Sequence, residues 1–313
     1  MKLFFSIWRN MYLFSEIQKH HRFYNENKKI VICRTMDQLR YHPHRRYAST
    51  IIIQINQPLG SHGQAIPYGA TEIEFTDRFN QPINAGDIPN SVTKLSFGPH
   101  YTPQEFSIGT FPNSLTYLDI YTFNKLISSN ELPSTIETLK ITAFNQPLKP
   151  NVLPSSITKL CLNNYKHQLE PQVIPPKVQT MELNSYNCEF GENLLPNSLQ
   201  CLYLSRFKKN LYENYLPSSI TDLDFGDDGP LTFETKSIPP SVKILRFPSL
   251  HRTLLPVGII PDSVVDLTLP PHYNHPLQIG LLPKSLTKLS FGYYYNRLLK
   301  PNTIPQSVTQ IKL

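Results

Sequence analysis

The 313 residues predict a repeat solenoid: a curved parallel β-sheet with one short strand per 21–23-residue coil, mostly irregular return segments and a helical N-terminal cap. Three observations predict it. A proline preceded by an apolar residue returns twelve times at nearly constant spacing, from Pro67 to Pro305. The positions six and eight residues after each proline are apolar in every copy. Proline is abundant (29) while glycine is scarce (12), which suits proline at fixed structural positions rather than a flexible linker.

The elements follow in chain order. Over residues 1–48 the period is absent. Phe4, Ile7, Trp8, Met11, Phe14 and Ile17 recur near helical spacing, so one amphipathic helix is expected, with a weaker second helix around residues 35–41. Residues 1–50 hold ten Lys/Arg against three Asp/Glu, a net +7, while residues 51–313 are neutral. The basic character therefore belongs to the leading segment alone. Solenoids need covered ends, and a helix with its apolar face on the first coil would serve as a cap. Ser49–Ile55 reads as a leading strand, followed by a degenerate first copy at Ile55-Asn56-Gln57-Pro58-Leu59. Residues 49–313 then form about twelve repeats in one solenoid domain.

Within a coil, Leu139, Leu160, Met181, Leu202 and Leu223 exemplify the sixth position after the proline, and Ile141, Leu162, Leu183, Leu204 and Phe225 the eighth. The fifth and seventh positions are mostly polar. A spacing of two places the apolar pair on one face of a strand and the polar pair on the other. One strand per coil forces successive strands to run parallel, about 4.8 Å apart. Proline has a fixed φ and no N–H, so it belongs in the turn before the strand. The residue two places after it is serine in nine copies and Thr135 in another, a hydroxyl expected to bond local backbone in the turn. An aromatic residue ten places before each proline, Phe or Tyr in eight of eleven copies, is expected to stack into an inward ladder. The neighbouring asparagine is expected to satisfy backbone in the turn that follows the strand. A parallel β-helix is the alternative architecture.

The arrangement Leu153-Pro154-x-x-Ile157-x-x-Leu160-x-Leu162 resembles short leucine-rich repeats. Phe79-Asn80-Gln81-Pro82-Ile83, Phe144-Asn145-Gln146-Pro147-Leu148 and Tyr273-Asn274-His275-Pro276-Leu277 resemble the FNIP repeat, and the likeness covers residues 55–313. It departs at Gly229 and His251, and the aromatic is displaced to Tyr101 in one copy. The resemblance implies a leucine-rich-repeat-like fold and little defined chemistry. Some relatives carry F-box-like N-termini, which makes a substrate-recognition subunit of a ubiquitin ligase a distant alternative. The leader here lacks the F-box pattern.

No Gly-rich phosphate loop, HExxH or GxSxG is present, so no enzyme, cofactor or metal is expected. Asp222 and Asp224, with Asp227 and Asp228, form the densest acidic cluster of the repeats and read as a solvated face. His272 and His275 lack further ligands. Cys161 and Cys201 are expected on the polar strand face two coils apart, too far for a disulfide. Four cysteines without CxxC, no Asn-x-Ser/Thr site and no ~20-residue apolar run point to a reduced, cytoplasmic protein without a membrane span. The apolar run of MKLFFSIWRN ends at Arg9, too short for a signal peptide.

The expected function is a non-enzymatic protein–protein interaction scaffold. Its candidate partner-binding face is Glu72, Glu74, Lys94, Tyr117, Asp119, Lys140, Lys159, Glu182, Tyr203, Asp222, Asp224, Arg246, Asp266 and Lys288. The alternative is nucleic-acid or anionic-surface binding through His20-His21-Arg22 and His42-Pro43-His44-Arg45-Arg46, flanked by Tyr41 and Tyr47. The last copy reaches its eighth position at Leu313, which suggests weak self-association through an uncapped C-terminal coil.

Overall fold

The computed structural model describes residues 10–60, 65–102, 106–226, 233–234 and 236–313. Phe4, Ile7, Trp8, Asp227, Asp228 and Gly229 lie outside them. The chain divides into two compact units, Met1–Phe123 with Asn130–Ile136, and Asn124–Ser129 with Glu137–Leu313.

The first unit opens with helix α1 (Met11–Asn27), started by Asn10, whose side chain accepts from the Tyr12 and Leu13 N–H groups at 3.1 Å each. No residue of α1 is fully buried: of its expected apolar face, Met11 and Ile17 are exposed and Phe14 is half-buried. The helix instead meets a 3-10 turn, Arg45–Tyr47, through Phe23, whose ring stacks on His44 at 4.4 Å. Strand β1 (Lys29–Ile32) follows directly and pairs in parallel with β2 (Thr50–Ile53), so among the described residues the sheet starts one strand before the one expected at Ser49–Ile55. Helix α2 (Asp37–Arg40) lies between them, where a second helix is expected. Strands β3 (Glu72–Phe75), β4 (Lys94–Phe97) and β5 (Tyr117–Ile120) continue in order, each in parallel register with its predecessor.

The second unit holds β6 (Thr138–Ile141), β7 (Lys159–Cys161), β8 (Thr180–Glu182), β9 (Cys201–Tyr203) and β10 (Asp222–Asp224). Beyond them lie β11 (Ile244–Arg246), β12 (Asp266–Thr268), β13 (Lys288–Ser290) and β14 (Gln310–Lys312). All pair in parallel and in chain order, one strand per coil. Among the described residues the return segments contribute one isolated bridge, Leu211 to Phe233, rather than a second sheet. That excludes the β-helix alternative and leaves the repeat solenoid.

The apolar columns form the core. Leu139, Leu160, Met181, Leu202 and Leu223 are each 0% exposed. Each such leucine, fully withdrawn from water, stabilises the stack by roughly 1.5–3 kcal/mol. Behind them the aromatic row stacks from coil to coil. Phe144 and Tyr165 lie 6.2 Å apart and 5° from parallel, Tyr165 and Tyr186 6.5 Å and 8°, Tyr186 and Phe207 6.5 Å and 3°. At two of the sequence's departures the row is still filled: Tyr101 packs 5.9 Å from Phe79, and His251 is buried beside Phe233 and Phe247.

Two expected local bonds turn out to join neighbouring coils. In most coils the serine hydroxyl two places after the proline donates to the preceding coil, as from Ser198 to the Val178 carbonyl, Ser219 to Leu199 and Ser263 to Val242, all at 2.6–2.7 Å, whereas the buried Ser91 and Ser307 hydroxyls have no partner among the described residues. Its own turn is already closed by proline carbonyls accepting from residues such as Leu199 and Val264, so the hydroxyl reaches outward. The asparagine after the aromatic likewise accepts from the next coil's backbone. Asn145 N–H donates to Asn124 Oδ1 (2.8 Å), Lys166 N–H to Asn145 Oδ1 (3.0 Å) and Lys208 N–H to Asn187 Oδ1 (2.8 Å). This ladder satisfies amides that the irregular return segments leave without strand partners.

A further column has no counterpart in the expectations. Three places before each proline from Pro89 onward the backbone is left-handed, as at Asn130 (φ 70°), Asn193 (φ 58°), Gly258 (φ 88°) and Asn302 (φ 66°). Glycine or asparagine occupies nine of these eleven positions, the residues that tolerate positive φ best. Gln172 (φ 65°) and Lys236 (φ 68°) are the exceptions.

Candidate functional site: the polar strand face

The strand alternation places the fifth and seventh positions on the face opposite the core, and parallel register sets equivalent residues side by side. In the first unit, Glu72 neighbours Lys94, which in turn neighbours Tyr117. Glu72 accepts from the Thr50 hydroxyl at 3.1 Å, and the Tyr117 hydroxyl donates to Asp119 at 3.2 Å. Glu74 and Lys94 are exposed; Tyr117 and Asp119 are half-buried.

In the second unit the charges pair across adjacent strands. Lys159 Nζ lies 2.9 Å from Glu182 Oε1, Arg246 Nη1 3.1 Å from Asp222 Oδ1, and Lys288 Nζ 4.0 Å from Asp266 Oδ2. Arg246 also approaches Asp224 at 3.9 Å, and the Tyr203 hydroxyl donates to Asp222 at 3.3 Å. The acidic pair Asp222 and Asp224, expected as an open solvated cluster, thus sits around a guanidinium. Lys140 is half-buried beside Cys161 in register.

These contacts set the electrostatics. Burial works to raise the Glu182 carboxyl, but the Lys159 ammonium and its hydrogen bond outweigh it and hold the group below the usual range. The hydrogen bond to Glu182 raises Lys159 correspondingly. Burial, followed by the Asp222 charge, pushes the Tyr203 hydroxyl up. Cys161 departs from its expected place: it is 2% exposed, packed under this face rather than displayed on it, and burial pushes its thiol up to about 12. A thiol so placed stays protonated at neutral pH and is a poor nucleophile. All four cysteines are free.

The remaining candidates are held separately. His272 stacks on Tyr294 at 4.7 Å, while His275 Nε2 donates to the Arg252 carbonyl at 2.6 Å. In the basic leading segment, Lys19 and Arg22 face Glu16 and Glu26, and Arg40 pairs with Asp37 at 2.7 Å. Arg46 lies over the Tyr47 ring at 4.8 Å. Among the described residues no helix is long and apolar enough to cross a membrane.

One strand per coil, an irregular return and a buried leucine column define a solenoid of the leucine-rich-repeat type. The chain belongs to the FNIP repeat family: the FNIP Repeat model matches residues 56–100, 103–142, 144–186, 186–228 and 273–313, more than half of it. Within the repeats the long unmatched stretch, 229–272, is where Gly229 and His251 replace the Phe or Tyr of the aromatic position. Among solved structures, the chain is similar to CroV588, described as a novel circular LRR protein structure. The TM-score is 0.66 at 28% identity, covering 86% of this chain and 46% of that one, so the chain spans under half of that protein's length. No curated protein matches the chain.

Proposed function

We propose that the chain is a non-enzymatic protein–protein interaction scaffold, cytoplasmic, whose repeats from residue 49 onward bind another protein through the polar strand face while residues 1–48 cap them. The lateral pairing of Lys159, Asp222, Arg246 and Lys288 supports this most directly. Charges already matched within the face steer partners weakly, so recognition falls to shape, to Tyr117 and Tyr203, and to exposed Glu74 and Lys94. The protonated, covered Cys161 supports binding over nucleophilic chemistry.

The test is capture from the source cells by the intact chain and by a Lys94→Glu, Tyr117→Ala, Tyr203→Ala variant of matched melting temperature. A protein retained by the first and lost by the second is the expected result; identical captured sets refute the assignment of this face. The rival polyanion reading is opposed by the local acids beside Lys19, Arg22 and Arg40. It requires DNA or RNA binding that falls steeply with salt and disappears when residues 1–48 are deleted. Strand β14 exposes Ile311 (52%), in a column buried elsewhere, and weak self-association of the 313-residue chain through it is part of the proposal. Light scattering showing a monomer at every concentration removes that part.

A further inference from the structure

A groove of about 800 Å³ runs along the turn edge of the second unit, across the four turns that carry Pro196, Pro217, Pro239 and Pro261. It coincides with the coil that departs most from the repeat. Lys236 takes the left-handed position there (φ 68°), although a lysine in that conformation is strained by about 1–2 kcal/mol relative to glycine. Beside it, Ser237 occupies a position filled in the flanking coils by Leu194, Tyr215, Ile259 and Leu281. Ser237 is 2% exposed, and its Oγ has no hydrogen-bond partner. A strained cation and an unpaired buried hydroxyl, adjacent in sequence and both lining one groove, are the kind of local cost that persists at binding sites. The family match is interrupted over the same coil.

The groove's chemistry indicates its occupant. Leu216, Ile238 and the prolines give it an apolar floor, while Asn193 and Asn214 offer carboxamides that can both donate and accept. A peptide backbone presents the same alternation of N–H and C=O. Four turns at about 4.8 Å per coil span roughly 14 Å, the length of about four extended residues. Lys236 and Glu213 lie 3.9 Å apart and offset each other, leaving exposed Asp262 as the uncompensated charge of the lining.

We propose that this groove binds an extended peptide segment carrying a lysine or arginine, with the cation on Asp262 and the Ser237 side chain turning outward to donate to a peptide carbonyl. The surface is separate from the polar strand face, so the two assignments stand or fall independently.

The experiment pans a phage-displayed random heptapeptide library against the intact chain, then measures the selected peptides against Asp262→Lys, Ser237→Leu and the Lys94→Glu, Tyr117→Ala, Tyr203→Ala chain. Selected peptides enriched in Lys/Arg are expected, weakened about tenfold by either groove variant and unaffected by the strand-face variant. Ser237→Leu restores the apolar residue of the neighbouring coils, so its melting temperature should equal or exceed that of the parent while binding falls. Absence of enrichment, selection of acidic peptides, unchanged affinity in the groove variants, or a lower melting temperature for Ser237→Leu would each overturn the proposal.

Discussion

Leu160→Ala and Lys159→Ala, adjacent in β7, separate the two faces of the strand most sharply. Leu160 is 0% exposed in the middle of the second unit's leucine column, flanked in register by Leu139 and Met181. Truncation removes three carbons, about 2.4 kcal/mol of transfer free energy at ~0.8 per carbon, and leaves a cavity that the stacked coils close only in part. A loss of about 3 kcal/mol is expected. For 313 residues unfolding together, an entropy near 2.1 cal/mol/K per residue makes that a fall of about 4–5 °C in melting temperature. Lys159 pairs with Glu182 at 2.9 Å, but its side chain is 38% exposed, and such pairs contribute about 0–1 kcal/mol. Urea unfolding followed by far-ultraviolet circular dichroism measures both, with equal slopes confirming that the compared transitions are the same. Equal midpoints for the two variants would refute the assignment of Leu160 to the core and Lys159 to the surface.

Three other expectations follow from particular residues. Gln172→Gly relieves a left-handed glutamine and should stabilise the chain by about 1 kcal/mol, read as a raised urea midpoint. Asn145→Ala removes the acceptor of the Lys166 N–H, so it should lower stability by about 1 kcal/mol and speed amide exchange at Lys166 specifically. Burial, then neighbouring His44, lowers the His42 pKa below 6.5. The unfolded chain therefore takes up that proton first on acidification. The contribution is present above about pH 6.5 and is lost as the pH falls from there through the lowered folded value. A His42→Gln chain should show a flatter melting-temperature profile over that range than the parent; parallel profiles would contradict the shift.

Much of this architecture is legible in the sequence because its causes are local. Leu160 and Leu162 alternate with polar neighbours, and Pro154 marks the turn before them, so strand position and inward face follow from a few residues of chain. The aromatic row is legible for the same reason, since Phe144, Tyr165 and Tyr186 are spaced by one coil. The left-handed column was equally present, as Gly or Asn at nine of eleven positions, but it precedes the proline in a turn whose geometry no hydrophobic period reveals. The candidate face is legible only as a set of positions. Which charge meets which depends on side-chain reach across strands, as when Arg246 bends to both Asp222 and Asp224.

By itself, then, the sequence determined the coil length, the strand in each coil and the residues that point inward, because alternation and proline act within one turn of chain. Only the tertiary structure decided where the serine hydroxyls and asparagine carboxamides bond, since their partners lie about 20–22 residues away and become neighbours only when coils stack. It likewise buried Cys161 under a face that alternation alone would have left open, and joined the turns of four coils into the groove around Ser237. A contact between coils is a property of their packing distance, which no single repeat contains.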